Sequence, residues 1–185
     1  MAKSSKLTSV ITYLEMTEPP TSPTPPRPAA KIALLRAEKP PLSFYRYLYN
    51  TIGQDWVWYE RREMDDESLL SVIHHQDVEI YVLYVDGAPA GICELDRREN
   101  PDIELTYFGL LPEFIGRGLG GFFLRWGIDQ AWTHEPRRLW IHTCTEDHPN
   151  ALPKYQQAGF VAYDQETIEI DDPRDSGLMG EAGSS

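Results

Sequence analysis

Leu110-Leu111-Pro112-Glu113-Phe114-Ile115-Gly116-Arg117-Gly118-Leu119-Gly120-Gly121 decides how this chain is read. Ile103 to Leu111 runs into it as an apolar, partly β-branched segment, the pattern of a strand. Downstream, Leu119, Phe122, Phe123 and Trp126 recur at helical spacing, and Leu124, Ile128 and Ala131 widen that stripe. The pattern predicts a largely buried helix over Leu119 to Trp132. Alternating glycines at the junction leave backbone N–H groups bare, and a helix N-terminus adds a partial positive charge. Together they form a seat for a phosphate or pyrophosphate.

Gly116, Gly118 and Gly121 also satisfy the dinucleotide pattern G-x-G-x-x-G. That fold expects an acid about 20 residues on, and Glu146 and Asp147 lie further away. A Walker-type loop needs Gly-Lys-Ser/Thr, which does not follow. A plain strand-to-helix turn needs fewer glycines, since each adds unfolded-chain entropy.

The 185 residues are enough for one domain with a sizeable core. Charged residues make up 25% and hydrophobic ones 41%, a soluble globular profile. Apolar runs are too short and too interrupted to span a bilayer, and Leu7 to Met16 is broken by Thr8, Ser9, Thr12 and Glu15, a poor signal peptide. A membrane role is therefore not expected. The net charge of -12 argues against nucleic-acid binding and is compatible with a cationic substrate or simple solubility. Cys93 and Cys144 sit in strand-like segments and read as two buried, reduced thiols of a cytoplasmic protein.

Along the chain, Ser9 to Met16 reads as a strand, and Pro19 to Pro28 as an extended linker. Lys31 to Arg36 is a strand. Ser43 to Ile52 is a helix with Ser43 as N-cap and Gly53 as stop. Asp65 to Ile73 is a second helix with acids in its first turn. Val78 to Val85 and Ala90 to Leu95 form a hairpin about Asp86-Gly87. Arg138 to Thr143 is a strand, Ala151 to Ala158 a helix between Asn150 and Gly159, and Phe160 to Ile170 a last strand. The expected organisation is an N-terminal strand and linker over 1–30, a domain over 31–170 and a loose acidic tail over 171–185. The order of elements predicts an α/β fold with a mixed parallel and antiparallel sheet flanked by helices.

The chain resembles the GNAT superfamily of acyl-CoA-dependent N-acetyltransferases. The family's Q/R-x-x-G-x-G/A signature corresponds to Ile115-Gly116-Arg117-Gly118-Leu119-Gly120, after Leu110-Leu111-Pro112-Glu113. A second family element, a small residue followed by Tyr and then Gly-Phe, corresponds to Ala151-Leu152-Pro153-Lys154-Tyr155-Gln156-Gln157-Ala158-Gly159-Phe160. The likeness covers roughly Lys31 to Ile170. Two positions depart from it: Ile115 stands where the family has Gln or Arg, and His148 where it often has Asn, with Asn150 two residues later.

The resemblance implies acetyl-CoA as co-substrate, its pyrophosphate on the amides of Gly116 to Gly120 and its arm along the end of the Ile103–Leu111 strand. Leu110, Ile115, Arg117, Leu119, His148 and Asn150 complete the implied cofactor contacts, and Phe108 and Tyr155 flank the thioester. It also implies an amine acceptor, small molecule or peptide, and a homodimer would suit the family. Glu104, on the strand face of Phe108 and Leu110, is the expected general base; a carboxylate in so apolar a strand needs a cleft or a partner. The backbone N–H of Phe108, freed by a bulge at Gly109, is the expected oxyanion donor, and Tyr155 the acid for the leaving thiolate. The alternative is a GNAT-like module that binds acyl-CoA or a small ligand without turnover.

Other residues have simpler readings. His142, Cys144, Asp147 and His148 match no common zinc spacing, so no metal is expected and packing accounts for them. Trp56-Val57-Trp58-Tyr59-Glu60-Arg61-Arg62 falls where the family lines its acceptor pocket, and would suit an amine with an apolar or aromatic part; simple packing over the sheet explains it equally. Tyr45, Tyr47 and Tyr49 cannot all face inward on one helix.

Overall fold

The computed structural model describes residues 5–179. Its strands are β1 (Lys6–Met16), β2 (Ile32–Arg36), β3 (Val78–Val85), β4 (Ala88–Asp96), β5 (Asp102–Leu110), β6 (Arg138–Cys144) and β7 (Val161–Asp171). They form one sheet in the order β2-β3-β4-β5-β6-β1-β7, antiparallel except for the β5–β6 pair. The helices are α1 (Leu42–Gly53), α2 (Glu60–Glu63), α3 (Asp66–Ile73), α4 (Leu119–Trp132) and α5 (Ala151–Ala158).

The longer helices pack by their apolar stripes. Tyr45, Leu48, Tyr49 and Ile52 recur at helical spacing on α1 and are buried, while Tyr47 points out. With Leu69 and Val72 of α3 they cover Ile80, Val82 and Ile92 on one sheet face. Phe123, Leu124 and Ile128 of α4 and Tyr155 of α5 cover Leu83, Leu95, Leu139 and Ile141 on the other. Strand alternation divides neighbouring residues between these two cores: Ile92 joins one, Cys93 the other. Asp65 caps α3 by accepting from the Ser68 N–H, as expected of acids in a first turn. No side chain caps α1, which starts at Leu42 rather than after Ser43; the Pro41 carbonyl takes the Phe44 and Tyr45 N–H groups instead.

Three differences from the expected organisation matter. First, β1 lies inside the sheet, between β6 and β7, and not outside a 31–170 domain; Leu14 pairs with Ile141 and is fully buried. The Pro-rich stretch then returns the chain to β2 at the opposite edge, five strand spacings or ~24 Å away. An extended, proline-stiffened segment suits that reach, and Arg125 on α4 holds it by donating to the Ser22 carbonyl at 2.7 Å. Second, the first part of the expected loose tail is tied down. Asp171 ends β7, Asp172 N–H donates to the Ser5 carbonyl, and Arg62 donates to the Met179 carbonyl at 3.1 Å. Residues 180–185 lie outside the described residues. Third, a short helix, α2, follows the Trp56–Tyr59 loop.

β5 and β6 pair only over Asp102–Glu104 with Arg138–Trp140. Arg137 and Arg138 both clamp Asp102 at this end, at 2.8 Å for each closest contact. Beyond it the two strands part: β5 stays with β4 and β6 with β1. The split is where the site forms.

Candidate active site

A pocket of about 390 Å³ opens in that split. At one end, a 3-10 turn over Pro112–Phe114 leads into the glycine loop. Gly116 and Gly118 both take left-handed backbone, φ 78° and 75°, which aims successive N–H groups inward. Gly118 is the N-cap of α4, so the first-turn amides from Leu119 onward have no intrahelical partner. A Cβ at Gly116, Gly118 or Gly121 would meet open space, so an anion can approach the backbone closely there. Lys154 also lines the pocket, its Nζ 3.8 Å from where a Gly120 Cβ would sit.

The middle of the pocket is the free edge of β5. The Leu111 N–H donates to the Ala90 carbonyl at 2.8 Å, so by alternation Gly109 and Tyr107 also face β4. The Phe108 and Leu110 N–H groups therefore face the side that β6 has left. The register shift that bends β5 is at Thr106, between the Tyr107–Glu94 and Leu105–Leu95 pairs, and not at Gly109. Gly109 is glycine for a different reason: a Cβ there would lie 2.4 Å from Ile52 Cγ2. The Phe108 ring packs on Phe123, 5.2 Å between centroids, and lines the pocket.

Tyr155 lines the pocket from α5 and is only 8% exposed. Burial, reinforced by the Asp147 charge, pushes its phenol far above the usual tyrosine range, so it keeps its proton. His142 lines the pocket from β6. Its Nδ1 lies 3.1 Å from Glu104 Oε1. With the carboxylate accepting, Nδ1 carries the proton and Nε2 of the neutral ring is the free base. Burial pulls this imidazole down, but the Glu104 bond and the charges of Glu104, Glu60 and Asp147 outweigh it, and it titrates above 6.5. Glu104 itself is not part of the wall: its carboxylate is turned onto His142, the partner its apolar strand required.

The opposite wall is the loop before α2. The Trp56 ring packs tilted against His148, 4.9 Å between centroids, and the Asn150 N–H donates to His148 Nδ1 at 3.0 Å, closing the rim between the two loops. Val57 holds φ 56°, a left-handed conformation that a β-branched residue adopts only under strain. Trp58, Tyr107 and Tyr49 pack ring against ring at 4.9–5.3 Å, and the Tyr49 hydroxyl donates to Glu60 at 3.2 Å. Arg61 turns inward instead, to Glu94 at 2.8 Å.

Of the residues expected at the site, Phe108, Leu110, Ile115, Gly116, Gly118, Leu119, Gly120, His148, Asn150 and Tyr155 line this one pocket. Arg117 does not; its guanidinium lies over the Phe114 ring, 4.9 Å from the centroid. His142, read from the sequence as packing, is in the wall beside Cys144, both on one strand face by alternation. Thr106, Lys154, and the β1 and β7 residues Leu7, Ser9, Ile11, Ile168 and Ile170 also line it. Local pattern carries no sign of the β1 and β7 residues, because they reach the pocket through long-range strand pairing. Among the described residues no group of three or more His, Cys, Asp or Glu is arranged to hold a metal, and no helix is long and apolar enough to cross a membrane.

Residues 45–160 match the model of the acetyltransferase (GNAT) family. Among solved structures, the fold is similar to a functionally unknown conserved protein of Staphylococcus epidermidis (TM-score 0.60, 18% identity, 90% of this chain and 63% of that one). It is also similar to a GCN5-related N-acetyltransferase from Kribbella flavida (0.61, 16%, 89% and 58%). A third match is an aminoglycoside acetyltransferase from an uncultured soil metagenomic sample, solved with trehalose (0.58, 13%, 73% and 91%). The chain thus spans about three fifths of the length of the first two. No curated protein matches it. With the family model covering well over half of its residues, the chain belongs to the GNAT acetyltransferase family.

Proposed function

We propose that the protein is an N-acetyltransferase that moves the acetyl group of acetyl-CoA to an amine by direct attack in a ternary complex. Family membership supports acyl transfer in general. The observation that carries the finer reading is the β5–β6 split, which sets the unpaired Phe108 N–H between the glycine loop and His142 in one pocket. The loop fits a pyrophosphate: left-handed Gly116 and Gly118, bare first-turn amides and no atom where a Cβ would stand. Acetyl-CoA, when bound, supplies the thioester.

His142 Nε2, oriented by Glu104, takes a proton from the ammonium form of the acceptor, since only the neutral amine attacks. The Phe108 N–H faces the oxygen on which charge develops; one such donor contributes roughly 3–4 kcal/mol elsewhere. Tyr155 donates a hydrogen bond to the sulfur as the C–S bond breaks. Full proton transfer from it runs uphill, because burial pushes its phenol still further above a thiol's ~8.5. Two protons leave the nitrogen in all: His142 takes the first from the ammonium and returns it to water, the second leaves for water as the tetrahedral intermediate collapses, and the products are one amide and one thiolate. The free Cys93 and Cys144 thiols suit a reducing, cytoplasmic setting.

The alternative, acyl-CoA binding without turnover, draws on the apolar Ile115 and the stacked Arg117, which leave the phosphates to backbone amides and Lys154. Thiol release from acetyl-CoA in the presence of a mixed amine pool separates the two. Release that depends on added amine, and falls at least tenfold in His142→Gln, supports the enzyme. Tight acetyl-CoA binding with no amine-dependent release supports the binding module.

A further inference from the structure

The pocket extends beyond the reacting centre, and its far walls come largely from segments outside the family match: Leu7 and Ile11 of β1 and Ile168 and Ile170 of β7. With Trp56 and Val57 they make an apolar lining. Charge in the pocket is one-sided. Glu60, Glu146 and Asp147 all line it, and Glu104, Glu60 and Asp147 all act on His142. Among the described residues the one Lys or Arg in the lining is Lys154, which stands by the first turn of α4.

The arginines nearby are committed elsewhere: Arg61 to Glu94, Arg62 to the carbonyls of Trp58, Asn50 and Met179, and Arg117 to the Phe114 ring. Thr106 adds a directional group. Its Oγ1 is buried, has no hydrogen-bond partner among the described residues, and belongs to the pocket wall. It can accept from an amine N–H beside the Phe108 edge.

Resting on the acetyltransfer reading, we infer that the acceptor is a primary amine on an apolar or aromatic body that carries no anionic group. Such a molecule arrives as a cation, which the three carboxylates attract, and its body fills the β1–β7 wall. A carboxylate beside the amine meets like charge from Glu60, Glu146 and Asp147, and among the described residues the one ammonium of the lining, Lys154, stands at the glycine loop instead. Free α-amino acids are thereby excluded.

The test compares kcat/KM, read as thiol release, for phenylethylamine, tryptamine and hexylamine against phenylalanine, tryptophan and spermidine, with acetyl-CoA affinity measured in parallel. The inference expects each amine to exceed its amino-acid counterpart, and spermidine, at least tenfold. Glu60→Gln then narrows the amine-to-amino-acid ratio several-fold while the Kd for acetyl-CoA stays unchanged. Equal or better use of the amino acids overturns the inference, as does a tenfold preference for spermidine. Turnover of none of the six by a protein that binds acetyl-CoA overturns the inference and leaves the cofactor reading standing. Absence of acetyl-CoA binding overturns both.

Discussion

Replacing Arg61 by methionine tests what holds the Trp56–Glu60 wall of the pocket in place. Glu94 has no exposed surface; its Oε1 takes Arg61 Nη2 at 2.8 Å and its Oε2 takes the Tyr45 hydroxyl at 2.6 Å. Arg61 is itself only 8% exposed, and its backbone N–H donates to the Tyr49 hydroxyl at 3.2 Å. Met keeps most of the apolar stem but leaves a carboxylate charged and buried with a single neutral donor. Breaking a buried pair from one side costs about 3–5 kcal/mol. For a chain of this size each kcal/mol lowers Tm by roughly 2–4 °C, so the fall is about 6–20 °C. Arg61→Met/Glu94→Gln leaves no unpaired charge and keeps an acceptor for Tyr45, so it recovers more than half of that loss. Urea and thermal melts of the two variants measure both numbers. Because Arg61 follows Glu60 directly, the single variant also raises KM for the amine more than it changes acetyl-CoA affinity. A loss below 1 kcal/mol in Arg61→Met, or no recovery in the double variant, refutes the reasoning.

Gly109→Ala puts a Cβ 2.4 Å from Ile52 Cγ2 and costs about 1–3 kcal/mol by overpacking; a double-mutant cycle with Ile52→Ala shows strong coupling if that contact is the cause, and simple additivity if it is not. His142 must be neutral to accept a proton, so kcat/KM rises with pH through a value above 6.5; Glu104→Gln removes a charge that raises it, and the limb moves to lower pH, whereas an unmoved limb means that Glu104 does not act through His142. Tyr155→Phe removes one hydrogen bond to a developing charge, lowering kcat about 10- to 100-fold with Kd for acetyl-CoA unchanged; equal loss in both would assign Tyr155 to packing.

Features with a local cause were legible in the sequence. The Asp86-Gly87 turn takes positive φ at both residues, and α4 begins at Leu119 after the left-handed Gly118. Both follow from what glycine and aspartate permit in a few consecutive residues. Features set by partners distant in the chain were not legible. A strand at 6–16 is visible in its β-branched residues, but its seat between β6 and β7 depends on pairing Leu14 with Ile141. Glu104 announces by its apolar neighbours that it needs a partner, yet only the parallel pairing with Trp140 brings it to His142. Gly109 reads as a bulge until Ile52 is seen against it, and the tail after Asp171 reads as loose until the Arg62–Met179 bond appears. The pocket wall from β1 and β7 belongs to the same class.

The most direct test of the central claim is a thermal-shift titration of the purified protein with acetyl-CoA, CoA and NADH side by side. A ligand at 100 times its Kd adds about 2.7 kcal/mol of stability. At this chain length that raises Tm by roughly 5–11 °C. The account predicts that rise with acetyl-CoA and CoA and none with NADH. No response to either CoA compound would contradict it, since the Gly116–Gly121 loop would then hold no pyrophosphate.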